Sequence, residues 1–292
     1  MSKATEGLRW GMAQRLEFIE FRLFWEGRLN RSDIIARFDV SLPQASADLT
    51  RYQEMAPSNM EYDSSEKAYK ATDSFRPVIF VPNADHYLAG LRALADGTLP
   101  EEELNLSEIP DLDAMPIPHR RVDPQILRKI VATIREKSGL SIFYHSMNEV
   151  RPKPLWREIT PHAFAHDGLR WHLRGYCHLE DRFKDFVLSR VLRVGKTVAP
   201  GVNASQDSDW QRFFEVVLVP NPKLSPSQRE TIALDYGMTR HQLRVRIRCA
   251  LLYYFNKRLR LDVAEKIDNP KETPIIIFNK KEFLAALHKA GG

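Results

Sequence analysis

Apolar residues recur at helical spacing between positions 8 and 25, with Leu16, Ile19, Leu23 and Phe24 on one stripe, which predicts an amphipathic helix. Asn30 or Ser32 caps a second, short helix ending near Phe38, and Asp39-Val40 makes a tight turn. Ser41-Leu42-Pro43-Gln44 then has the form of a capping box. Ser41 accepts from the third helical N–H, Gln44 reaches back to the Ser41 backbone, and Pro43 costs little in a first turn. The third helix, to about Met55, places Leu42, Ala45, Leu49 and Tyr52 on its core stripe and Gln44, Ala47, Thr50 and Arg51 opposite. Residues 60–63 and 68–71 alternate around the polar turn Ser64-Ser65-Glu66-Lys67 and predict a hairpin.

The pattern breaks over residues 76–124, where Pro77, Pro82, Pro100, Pro110, Pro116, Pro118 and Pro124 accompany the run Glu101-Glu102-Glu103. Proline removes backbone donors, so no long helix or central strand fits there, although residues 85–95 suit a short helix. Residues 141–194 alternate like strands. In the segment 168–177, Trp171, Leu173, Gly175 and Cys177 share one face, and Arg170, His172, Arg174 and Tyr176 the other. Residues 186–191 read as another strand. A second break falls at 200–208. Beyond it, 213–219 and 243–248 read as strands, Ser225-Pro226-Ser227-Gln228 as a capped helix start, 249–259 as a helix, 275–278 as a buried strand and 280–289 as a last helix. These elements divide the 292 residues into 1–75, 76–118, 119–205 and 206–292, an α+β chain of several domains.

Charge sharpens this division. Residues 119–205 carry 16 basic and 8 acidic side chains, whereas 76–118 carry 2 and 8, and 1–75 carry 10 and 12. A row of arginines on one sheet face repels itself unless an anion or solvent screens it, so the middle segment is expected to hold an anion. The only cysteines, Cys177 and Cys249, exclude a disulfide framework or a thiolate zinc site. No stretch approaches the roughly 20 apolar residues of a membrane span, and residues 1–6 carry no leader signature, so a cytoplasmic location without membrane contact is expected.

Two short helices joined by a turn, followed by a hairpin, make the winged helix-turn-helix pattern, in which the start of the second helix reads major-groove edges. Gln44 has the chemistry to pair with adenine, and Arg51 that to hold a phosphate or guanine. Ser41, Ser46, Ala47 and Thr50 share the candidate DNA-binding surface, with Arg28, Arg31, Lys67 and Lys70 facing phosphates. The net charge of this segment and Asp48 on the helix count against the reading.

Four blocks carry a family resemblance: Ile142-Phe143-Tyr144-His145-Ser146; Arg157-Glu158-Ile159-Thr160-Pro161-His162; Arg170 to Cys177; and Phe183 to Val191. They resemble the WYL domain, with Trp171-His172-Leu173 standing at the tripeptide that names it. Pro43-Gln44-Ala45-Ser46-Ala47-Asp48-Leu49 resembles the recognition helix of one subgroup, the transcriptional repressors of the BrxR and CapW kind found beside bacterial anti-phage systems.

The resemblance implies a Sm-like small β-barrel that binds an anionic effector, a nucleotide or single-stranded nucleic acid. Tyr144, Ser146, His172, Arg174, Arg182 and Arg190 occupy its pocket positions. It further implies a C-terminal dimerisation domain, a homodimer on an inverted-repeat double-stranded DNA operator, and no catalysis, cofactor or metal. The competing readings are a metal-dependent or nucleic-acid-processing hydrolase built on His162 and His166, or a nucleic-acid-binding module without a sensor. Neither an HExxH motif nor a nucleophile elbow supports the hydrolase.

Overall fold

The computed structural model describes residues 8–118, 120–147, 149–150, 152–264, 266–267 and 269–291. Residues 1–6, read above for a leader, lie outside the described residues. The chain divides into two compact units, one ending at Pro116 and the other beginning at Ile117.

In the first unit, helix α1 (Trp10–Glu26) ends on Gly27, whose positive φ of 72° lets its N–H return to the Leu23 carbonyl. Strand β1 (Arg28–Leu29), helices α2 (Arg31–Phe38) and α3 (Leu42–Met55), and strands β2 (Met60–Asp63) and β3 (Ala68–Ala71) follow. The strands pair antiparallel in the order β1-β3-β2. Leu16, Ile19 and Leu23 of α1 close a core with Ile34, Ala45, Leu49, Tyr52 and Met60. At the start of α2 the Asp33 carboxylate accepts from the Asn30 N–H at 2.6 Å, so Asn30 rather than Ser32 is the cap. Asp39, in the left-handed region at φ 51°, makes the turn between α2 and α3.

Two details of α3 differ from expectation. Leu42 is 56% exposed, because the chain enters the helix from the solvent side. Ser41 does accept from the Gln44 N–H, but the Gln44 amide turns to Asp48 instead of the Ser41 backbone.

The proline-rich segment begins as part of this unit. The buried Glu20 carboxylate accepts from the N–H groups of Val78, Ile79 and Phe80 at 2.7–2.8 Å and from the Tyr52 hydroxyl at 3.0 Å. Burial pushes the Tyr52 hydroxyl well above its ordinary pKa. Helix α4 (Ala84–Ala95) follows, capped by the Asn83 side chain, with Tyr87 stacked on Trp25.

The second unit opens with helix α5 (Pro124–Glu136), which the proline count concealed. Pro124 occupies the first turn, Asp123 caps it, and Ile126 and Ile130 enter the core. Strands β4 (Gly139–Tyr144), β5 (Leu155–His166), β6 (Trp171–Cys177), β7 (Arg182–Val187) and β8 (Val191–Val198) form one antiparallel sheet, ordered β7-β6-β5-β4-β8. Among the described residues no ladder joins β7 to β8, so the sheet is open where a closed barrel was expected. The expected strand over 186–191 is interrupted by a 3-10 turn at Leu188–Arg190, because the chain must cross there from one sheet edge to the other. Gly175 sits where β5 shifts register at Pro161. A Cβ on it would lie 2.8 Å from the Thr160 carbonyl.

Leu173 and Cys177 join Leu140, Ile142, Ile159 and Phe186 in the core, whereas Trp171 stands at the strand end, 53% exposed against His166. The rest of this unit comprises helix α6 (Ser208–Gln211), strand β9 (Phe213–Pro220), helix α7 (Pro226–Asp235), strand β10 (Leu243–Arg248), helix α8 (Leu252–Arg258), strand β11 (Ile275–Ile277) and helix α9 (Lys280–Gly291). The sheet β10-β9-β11 packs Val216, Leu218 and Ile275 against Leu252 and Phe283. Residues 249–251 form a 3-10 turn ahead of α8, and Phe278, expected in the last strand, is exposed beyond it.

Candidate nucleic-acid interface and effector site

Helix α3 presents Ser46, Ala47, Thr50 and Arg51 away from the core stripe of Ala45, Leu49 and Tyr52. Asp48 does not share that outer face. It is 1% exposed and holds Arg15 of α1 at 2.6 Å, so its charge is spent inside the domain. Its other oxygen accepts from the Gln44 amide at 3.0 Å, which fixes the glutamine near the helix start and leaves its carbonyl oxygen outside this bond. Ser46 donates to the Leu42 carbonyl, and the Arg31 guanidinium reaches Ser46 at 3.5 Å. Thr50 donates back to the Ser46 carbonyl. Arg51 meets Glu54 at 3.2 Å in an exposed pair that phosphate can displace. On the hairpin, Lys67 lies at the tip with φ 53° and is exposed. Lys70 is different, because its ammonium meets Asp63 at 2.8 Å and Glu66 at 2.6 Å. The expected phosphate contact at Lys70 therefore competes with two carboxylates.

The expected effector residues separate onto the two faces of the five-stranded sheet. Tyr144, Arg182 and Arg190 gather with two residues not foreseen, Arg157 and Lys184. The Tyr144 ring is buried, edge-on to Phe186, with the Arg157 guanidinium 5.8 Å from its centre, and its hydroxyl accepts from the Val187 N–H at 3.0 Å. Burial raises the Tyr144 pKa, against the opposing pull of the Val187 N–H, Arg190 and Arg157. Arg157 and Lys184 both reach Glu180 at 2.6 Å, and Arg182 lies 3.6 Å from it. Burial alone would raise Glu180, but Lys184 and Arg157 bring it down to about 2. Arg190 contacts the Met147 sulfur, and Ser146 immediately precedes that methionine in the connection after β4. Three cations thus meet at one carboxylate, and Arg190 reaches the same region through Tyr144. A base stacked on Tyr144 is not available in this arrangement, because the core already covers the ring.

His172 and Arg174 point the opposite way, alternating with Leu173, and both are buried, at 1% and 6% exposure. The sequence suggested a free cationic row there. The chain's own carboxylates neutralise it instead. Arg174 forks onto Asp207 at 2.8 and 2.9 Å and reaches Asp185 at 3.3 Å. Asp207 also binds His162 at 2.9 Å and caps α6 through the Trp210 N–H. Burial would raise Asp207, but Arg174 and then His162 hold it well below the carboxylate range. Tyr254 of α8 donates to Asp185 at 3.0 Å and lies against the His172 ring, 4.4 Å between centres. His172 binds Asp167 at 2.9 Å. An anion at Arg174 would have to displace Asp207. The geometry therefore makes Arg174 a tie between the WYL-like sheet and the C-terminal elements.

Sequence reasoning missed Arg157 because it lies on a strand whose apolar neighbours face the same core. It missed Asp207 because its partner stands 33 residues away. His162 and His166 go to different partners, Asp207 and the Trp171 ring, and among the described residues no group of three or more His, Cys, Asp or Glu can hold a metal.

Comparison with known proteins finds matches to three domain families in order along the chain. Residues 11–93 match the BrxR transcriptional regulator winged helix-turn-helix domain, 125–195 the WYL domain, and 213–283 the BrxR transcriptional regulator C-terminal dimerization domain. A DNA-binding transcriptional repressor CapW of Escherichia coli (strain KTE188) is 36% identical over 287 residues, covering 98% of this chain and 95% of that one. The proteins of that name from Stenotrophomonas maltophilia and Pseudomonas aeruginosa are each 36% identical, over 96% of this chain and 94% and 93% of theirs.

Proposed function

The chain belongs to the WYL transcriptional repressors of the BrxR and CapW kind, a family of regulators rather than enzymes, and from that premise we propose how it works. It is a dimeric, DNA-binding repressor acting in the cytoplasm. Its two winged helices read the half-sites of an inverted-repeat operator. An anionic effector, a nucleotide or single-stranded nucleic acid, enters the WYL domain and lowers operator affinity. The genes under its control belong to a phage-defence operon, as the resemblance to repressors beside such systems suggests. The division of labour follows the segments 1–75, 119–205 and 206–292, joined by 76–118.

The observation that supports the sensor half is the cluster of Arg157, Arg182 and Lys184 on the single carboxylate Glu180, with Arg157 and Arg190 both beside Tyr144. A buried Arg157 with excess positive charge beside it is stabilised by an incoming phosphate. The observation that supports DNA reading is the exposed face of α3, from which the Asp48 charge is turned inward to Arg15 and on which Glu54 is already paired with Arg51. Coupling requires that the effector bind the two states of the dimer with different affinity.

The test is a footprint on the DNA upstream of the gene. Two protected half-sites related by a dyad are expected. Gln44→Ala should cost about 1–3 kcal/mol on that site and much less on random DNA. Arg190→Ala should keep operator binding and lose the response to the inducing signal. A monomer that binds one half-site tightly, or an Arg190→Ala protein that still responds fully, would overturn the corresponding half of the proposal.

A further inference from the structure

The C-terminal sheet has one face in the core and one face outward. Pairing of β10 with β9 puts Arg244, Arg246 and Arg248 on the outward face together with Phe213 and Glu215, while Val217 on the same side is buried. Rings and guanidinium groups interleave there. Arg248 lies 4.6 Å from the Trp210 ring and 4.6 Å from Phe213, and Arg246 lies 4.0 Å from Phe213 on the same ladder. Arg248 also donates to the Trp210 carbonyl. Arg244 meets Glu215 at 2.6 Å and Arg212 meets Asp209 at 2.8 Å, which leaves Arg246 and Arg248 without a carboxylate among the described residues. Phe213 remains 42% exposed.

We propose that this ladder is a binding surface for a single-stranded nucleic acid, separate from the effector cluster of the WYL domain. Its phosphates take the guanidinium forks, and its unpaired bases lie on the exposed Arg246 plane and the Phe213 edge. Three physical reasons lead to that occupant. Stacking on Trp210 and Phe213 fixes the guanidinium planes before any ligand arrives, so little side-chain entropy is lost on binding. Arginines two apart on an extended strand repeat about every 6.8 Å, a spacing that successive phosphates of one stretched strand can follow. Base and aromatic or guanidinium planes stack without regard to sequence, and only an unpaired strand offers those base faces.

A second copy is a poor occupant of this edge. β10 is an outer strand of its sheet, and pairing two β10 strands antiparallel about a two-fold would set arginine opposite arginine. The inner end of the ladder adjoins the buried tie, since Trp210 also meets the His162 ring at 5.8 Å and Asp207 caps its helix.

The test uses the full-length dimer and a labelled oligothymidylate of about 12 nucleotides, followed by fluorescence anisotropy across a salt series. The parent should bind. Arg246→Ala should lose roughly tenfold in affinity and about 0.7 in the salt slope, as expected for one phosphate contact on a single strand. Phe213→Leu, which keeps apolar volume but removes the ring, should also weaken binding. In the Arg190→Ala background Arg246→Ala should still remove its own share of affinity and salt slope, so the two losses add as expected for separate sites. Sedimentation checks that each variant remains dimeric.

The proposal is overturned if the parent does not bind, or if Arg246→Ala and Phe213→Leu bind as well as the parent. Binding lost with Arg190→Ala and kept with Arg246→Ala would move the strand into the WYL domain, leaving the effector reading intact and this one refuted. A dimer that dissociates on Arg246→Ala would make the face a subunit interface. An equal loss on random duplex DNA would assign it to duplex backbone instead.

Discussion

Replacing Asp207 by alanine removes the acceptor of two Arg174 donors at 2.8 and 2.9 Å, the partner of His162, and the cap of α6. Arg174 is left buried with Asp185 at 3.3 Å as its remaining carboxylate. Breaking one side of a buried pair costs about 3–5 kcal/mol, and loss of a helix cap adds about 1 kcal/mol. For a unit of this size the pair alone corresponds to a melting shift of roughly 6–20 °C. Asp207→Asn keeps the cap and one neutral acceptor, so it should cost less, about 1.5–3 kcal/mol.

The assay is denaturant unfolding of the dimer at fixed protomer concentration, for the parent, Asp207→Ala, Arg174→Met and the double variant. Removing both charges should recover part of the loss, because neither group is then stranded. The pH dependence has a definite sign. Asp207 has a lowered pKa in the folded state, so its contribution is complete above its unfolded value near ~3.9 and fades as pH falls through the lowered one. The gap between parent and Asp207→Asn should therefore be full at neutral pH and close under acid. An Asp207→Ala protein within about 1 kcal/mol of the parent, with no coupling to Arg174→Met, would refute the buried tie.

The first unit offers three further tests. Glu20→Gln turns one of the two acceptor oxygens into a donor amide, so one or two of the three backbone N–H groups lose their acceptor, and should lower the stability of this unit by about 1–3 kcal/mol in chemical denaturation. Asp48→Ala frees both Arg15 and Gln44, so operator affinity measured by gel shift should fall even though Asp48 touches no DNA itself. Lys67→Asn, which tolerates the left-handed tip, should lower the salt slope of operator binding by about 0.9, whereas Lys70→Ala should lower it less because Asp63 and Glu66 already hold that charge.

Local order along the chain was legible in the sequence because it depends on near neighbours. Helical spacing of Leu16, Ile19 and Leu23, the Ser225 capping box, the hairpin around residues 64–67 and the alternation of residues 243–248 all report contacts within a few positions, and each element forms. The resemblance over residues 142–191 likewise carried the family, since it rests on residue types in order. Pro124 shows the limit of a local rule. Proline breaks a helix from inside but starts one from its first turn, and only the Asp123 cap and the burial of Ile126 and Ile130 decided which.

Burial and long-range pairing were decided by the tertiary structure. Alternation put His172 and Arg174 on one face of β6, but it could not say that Asp207 and Tyr254 would cover that face. Alternation reports which residues share a face, not what lies against it. The same holds for Asp48, whose negative charge looked hostile to DNA until Arg15 of another helix took it inward. Arg157 and Glu180 stand 23 residues apart, and their pairing depends on β5 and β6 folding back on one another. The desolvation of an ion and the partner that compensates it are both properties of the packed chain, so a charge read from sequence has a sign but no environment.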